Sequence, residues 1–135
     1  MKILLALSAF FYFTYAMELS EFIDENSYEV NYIKALKKAK DEKKNLMFVV
    51  VDKGCPWCTK LEENTLSNKV VNIEIKKDNI ALIMQRNQDD FPKGYDAEFI
   101  PYIYFINPIN EEIIYESIGY KAPEDFLAEL KEARF

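Results

Sequence analysis

LMFVVVDKGCPWCTK, residues 46–60, runs six apolar residues into Asp52-Lys53-Gly54 and then into the chain's only two cysteines, Cys55 and Cys58. The apolar run, with three consecutive valines, suits a strand covered on both faces. Asp52, Lys53 and Gly54 end it. Pro56 is suited to the first position of a helix, where its missing N–H goes unused. The cysteines therefore stand at a strand-to-helix junction, within one helical turn of each other. Two thiols meant only to brace a fold would stabilise it more by closing a long loop, so this spacing points to chemistry.

The position supplies the chemistry. A sulfur at a helix N-terminus faces unpaired backbone N–H groups and the positive end of the helix dipole. Both favour thiolate over thiol and lower the thiol pKa from about 8.5 toward 7 or below. The thiolate is the attacking species, so Cys55 is the expected nucleophile. Cys58, three residues on and on the same face, is the expected resolving thiol. Pro56 supports the helix start, and Trp57 at the tip should be partly exposed as an apolar platform.

Working outward, Tyr32, Ile33, Leu36 and Ala39 recur at spacings of three and four, with lysines on the other face, which predicts an amphipathic helix over about 28–44. The lysine-rich face reads as solvated, since Asp41 and Glu42 interrupt it. Beyond Cys58, Leu61 and Thr65 share a helical face, and Val70, Val71 and Ile73 begin a further short helix. IALIM, 80–84, is a second buried strand. Residues 87–99 read as a polar loop. Pro101 opens the strand YIYFI, NPIN at 107–110 turns the chain, and EIIYESI at 112–118 completes a hairpin. Pro123 starts a last helix, acidic in its first turn and basic in its last, whose Phe126, Leu127, Leu130 and Ala133 cover the sheet. Met47, Met84, Tyr102 and Tyr104 fall to core or cover rather than to a ligand set.

Residues 1–16, MKILLALSAFFYFTYA, have the features of a cleavable export signal: Lys2, an apolar stretch from Ile3 to Phe13, and Thr14 and Ala16 before the cleavage point. From Ile3 to Ala16 a helix would reach only about 21 Å, short of the ~30 Å hydrocarbon layer. The expected domain is then 17–135, and the short leader suggests the bacterial periplasm. Outside the cytoplasm a thiol pair is oxidised unless something reduces it.

Composition narrows the remaining classes. The chain has 135 residues, half of them hydrophobic, enough for one domain with its own core. A formal charge of −6 argues against nucleic acid as a partner. There is no histidine, which removes Cys–His dyads, Ser–His–Asp triads and histidine metal sites.

The order helix, strand, CxxC helix, strand, proline-led hairpin, helix resembles the thioredoxin superfamily across most of residues 28–134. The residues carrying the resemblance are the strand running into Cys55-Pro56-Trp57-Cys58, the Ile100-Pro101 step and the Gly119-Tyr120 step. It is most similar to exported thioredoxin-like proteins. The resemblance implies an α/β, thioredoxin-like fold with a central mixed four-stranded sheet flanked by helices. It implies that Pro101 is cis beside the disulfide and that Ile100 offers its backbone to a substrate chain, with Trp57 also at the substrate. There are departures. Val49 stands six residues before Cys55, where thioredoxins proper carry a buried aspartate that assists proton transfer. Gly54 replaces the usual tryptophan, and the inner dipeptide is Pro-Trp.

The expected function is a thiol–disulfide oxidoreductase of the periplasm that uses the Cys55–Cys58 couple and no other cofactor or metal. It would act as a monomer on protein thiols and disulfides, fed by a membrane-bound electron carrier. Without an inner histidine to hold the thiolate, a reductase is favoured over an oxidase. Two alternatives stay open: a module holding a soft metal ion, for which two thiolates are an incomplete site, and an interaction domain whose short-loop disulfide is inert.

Overall fold

A computed structural model describes residues 19–134. The expected export segment, 1–16, lies outside the described residues. The elements are helix α1 (19–26), helix α2 (Tyr32–Glu42), strand β1 (Asn45–Val51), helix α3 (Pro56–Lys60), helix α4 (Lys69–Asp78), strands β2 (Asn79–Gln85), β3 (Tyr102–Ile106) and β4 (Ile113–Ile118), and helix α5 (Pro123–Glu132). Helix α3 runs on into a π-helical turn, Leu61–Leu66.

The sheet is mixed, in the order β2-β1-β3-β4. β1 pairs in parallel with β2, with Val49 opposite Ile83, and antiparallel with β3, where Val49 faces Ile103. β4 closes the hairpin as an edge strand. This is the central mixed sheet flanked by helices that the family resemblance implied.

Strand β1 sits between two neighbours and carries apolar side chains on both faces. Met47, Val49 and Val51 point into a core with Cys58, Leu61, Leu66, Val71, Ile75, Phe126 and Leu130. Leu46, Phe48 and Val50 point the opposite way, into a core with Tyr32, Ala35, Leu36, Ala39, Tyr95 and Tyr104. The period-two alternation of a pleated strand divides the run between the layers. One layer is built by α1, α3, α4 and α5, the other by α2 and the segment after β2. Met47 and Met84 are both core residues, 0% and 1% exposed.

Three expectations are corrected. Helix α2 begins at Tyr32 rather than near 28, because Asn31 caps it, its side chain accepting from the N–H of Lys34. Glu29, just upstream, is extended and bridges in parallel to Leu82 on the β2 edge, with the Glu29 N–H donating to Ala81 and the Ile83 N–H to Glu29. Ile33 is 71% exposed, and Ala35 takes its place on the buried face. Residues 87–99 form no helix or strand, yet they are more than a polar loop: Tyr95 is buried and its ring meets Phe48 edge-on, 5.5 Å away. Tyr95 also shares a hydroxyl contact of 2.9 Å with Tyr32, whose hydroxyl donates to Glu111 at 2.8 Å.

Candidate active site

The last residue of β1 is Val51, and the chain turns sharply over Asp52, Lys53 and Gly54 to enter α3. Asp52 accepts the N–H of Lys53 on its own carboxylate. Gly54 has φ +67 with nothing within 4 Å of where a Cβ would stand, so a glycine is favoured there by conformation and not by space.

Cys55 is the N-cap of α3: its backbone is extended, Pro56 follows at the first helical position, and its sulfur accepts the N–H of Cys58 at 3.2 Å. Its carbonyl accepts from the Thr59 N–H at 3.2 Å. The sulfur thus occupies the place a capping oxygen usually fills, at the positive end of the helix. Cys55 and Cys58 are joined as a disulfide, their Cα atoms 5.3 Å apart. The two sulfurs are not equivalent. Cys55 is half-buried, while Cys58 is 2% exposed and lies in the core beneath. A partner molecule can reach Cys55, whereas Cys58 reaches only its neighbour.

Around the pair, Trp57 is 56% exposed at the helix tip. Its ring lies 5.9 Å from that of Tyr120, and the Lys60 ammonium sits over both, 5.0 Å from the Trp57 centroid and 4.6 Å from that of Tyr120. The Ile100–Pro101 peptide is cis. Pro101 is buried, and half-buried Ile100 packs against both core layers. The Pro101 carbonyl accepts the N–H of Gly119 at 2.8 Å, which ties the segment before β3 to the end of β4. The buried Thr65 hydroxyl donates to the carbonyl of Lys121 at 2.6 Å, fixing the chain after Tyr120 to the π-helical turn.

Two features of the site went unrecognised in the sequence. The Lys60–Trp57–Tyr120 cluster joins residues far apart along the chain, and only the Gly119-Tyr120 step pointed toward it. Asp52, which the sequence marks only as part of the strand's end, has a side chain 18% exposed and pairs with Arg86, Nε to Oδ2 at 2.8 Å. Val49, in the position of the absent aspartate, is fully buried in the core. Among the described residues no group of three or more His, Cys, Asp or Glu side chains is placed to hold a metal ion, and no helix is long and apolar enough to cross a membrane.

The architecture has counterparts of known structure. A thioredoxin from Thermus thermophilus superposes with a TM-score of 0.67 at 20% identity, over 78% of this chain and 85% of that one. A putative disulphide-isomerase from Bacteroides thetaiotaomicron gives 0.67 at 23% identity, covering 78% and 88%. The C-terminal domain of Neisseria meningitidis DsbD in its oxidised form gives 0.61 at 15% identity, covering 78% and 99%. No curated protein matches the chain in sequence. Residues 32–134, from the first residue of α2 to the end of the described chain, match the family described as thioredoxin-like domain, and with its CxxC disulfide at the head of α3 the chain belongs to that family.

Proposed function

We propose that the protein is a periplasmic thiol–disulfide oxidoreductase, working as a monomeric reductase of protein disulfides. One observation carries the reading: an accessible sulfur caps a helix while its partner lies buried one turn on. In the reduced state the Cys55 thiolate attacks one sulfur of a substrate disulfide, forming a mixed disulfide and expelling the other substrate sulfur as thiolate. Cys58 then loses its proton and attacks the Cys55 sulfur. The second substrate thiolate leaves, and the Cys55–Cys58 disulfide forms. The substrate has gained two electrons, and a dithiol on a membrane-bound carrier returns them to the pair.

In this reading Trp57, Ile100 and Pro101 receive the substrate chain: Trp57 offers an exposed apolar face, and Ile100 the backbone of the strand-opening step. Pro56 supports the cap. The family membership and the dithiol spacing support the activity. The inner Pro-Trp dipeptide, with no histidine to hold the thiolate, favours reductase over oxidase, and the N-terminal pattern Lys2, Ile3–Phe13, Thr14, Ala16 favours export. Insulin reduction with a dithiol donor tests the reading. Turnover that disappears in Cys55→Ser supports it, and turnover unchanged in that variant overturns it. Mass spectrometry of the secreted chain, expected to begin at residue 17, tests export.

A further inference from the structure

The turn into Cys55 is held by an ion pair that the exchange reaction does not itself use. Asp52 is anchored at both carboxylate oxygens: Oδ1 accepts the Lys53 N–H at 2.9 Å, and Oδ2 accepts Arg86 Nε at 2.8 Å. Arg86 follows the end of β2, and its backbone N–H donates to Val51 at 3.1 Å, so both partners stand at the carboxyl ends of the two parallel strands. Asp52 lies three residues before Cys55, which limits their Cα separation to roughly 11 Å, well inside the ~30 Å screening length of 0.01 M salt, where the test is made.

We propose that Asp52 and Arg86 act as a positioning pair for the redox site, each cancelling the other's charge on the thiolate at Cys55 while together they hold the turn. The proposal rests on the oxidoreductase reading. The carboxylate alone would disfavour the thiolate and the guanidinium alone would favour it. Paired, they leave the helix N-terminus to set the thiol's acidity. Charged and titratable groups on the surrounding elements, Lys53, Lys60, Glu98, Tyr120 and Lys121 among them, are the same in wild type and variants and drop out of the comparison.

The test is the pH dependence of iodoacetamide alkylation of Cys55 in the reduced protein, followed by peptide mapping. Asp52→Asn keeps the size and one acceptor oxygen for the Lys53 N–H but removes the negative charge, so the Cys55 pKa should fall by roughly half a unit. Arg86→Gln should raise it by a similar amount, a spread of about tenfold in thiolate fraction between the two variants at a pH below both midpoints. The double variant should return close to wild type. A latch with no electrostatic role would move both single variants in the same direction and leave the double variant displaced. Shifts of the same sign, or none in either variant, overturn the proposal. Both variants should fold, since partly exposed ion pairs contribute little stability. Alkylation involves no substrate disulfide, so failure of the oxidoreductase reading would appear separately, in insulin turnover by the wild type.

Discussion

Replacing Lys60 by methionine would test whether the exposed face beside the disulfide is a built platform or a chance meeting of side chains. The ammonium lies 5.0 Å from the Trp57 centroid and 4.6 Å from that of Tyr120. Each contact is within cation–π range and contributes about 0.5–1 kcal/mol at an exposed site. Methionine keeps the apolar stem that covers the rings but removes the charge. Lys60→Met should therefore destabilise the protein by about 1–2 kcal/mol. Part of that belongs to Tyr120, and a double-mutant cycle with Tyr120→Leu should give a coupling energy of about 0.5–1 kcal/mol. Urea unfolding followed by fluorescence reads it directly, because Trp57 is the only tryptophan in the chain and sits in the cluster. Freed from Lys60, the indole should also lose fluorescence anisotropy, and insulin reduction should slow severalfold as the apolar face loses its fixed orientation. A coupling energy indistinguishable from zero, with anisotropy unchanged, would refute the idea that Lys60 holds the platform.

Three further outcomes follow from other parts of the molecule. Cys58→Ser should leave Cys55 able to attack but remove the resolving step, so the protein should accumulate as a mixed disulfide with its substrate on non-reducing gels. Phe48→Ala, in a side chain fully buried against Tyr32, Phe91, Tyr95 and Tyr104, should cost about 3–5 kcal/mol in denaturant unfolding. Tyr102, whose pKa is pushed up to about 12 by desolvation and then by its hydrogen bond to Glu116, should ionise late in an ultraviolet titration. Because its folded pKa lies above the unfolded value near 10, the native state holds its proton longer. Its contribution is complete below pH 10 and is lost as pH rises through about 12.

The features legible in the sequence are those written into adjacent residues. LMFVVV reads as a central strand because six apolar residues in a row must be covered twice, and the structure divides them alternately between two cores. The strand-to-helix junction at Cys55 reads from Gly54 and Pro56, because a left-handed turn and a first helical position each demand a residue type. Pairing across the fold leaves no such mark. Nothing near residue 28 announces that Glu29 will bridge to Leu82. The signal for the helix boundary is Asn31, a good capping residue just before the periodic positions begin at Tyr32. Arg86 pairs with Asp52 across 34 positions, and Tyr120 meets Trp57 and Lys60 only after the chain has crossed the whole sheet. Tyr95 reads as loop because Pro92 and Gly94 just before it and the acidic residues around it break any helix or strand pattern, yet it closes the core that Phe48 enters.

The central claim is that Cys55–Cys58 is a working couple and not a brace, and the reduction potential tests it most directly. Equilibration of the protein with glutathione buffers, followed by Trp57 fluorescence, gives that value. Stabilisation of the Cys55 thiolate by the helix N-terminus favours the reduced state, so the midpoint should fall between roughly −120 and −270 mV, within reach of cellular dithiols. A midpoint below roughly −300 mV, where structural disulfides lie, would contradict the account.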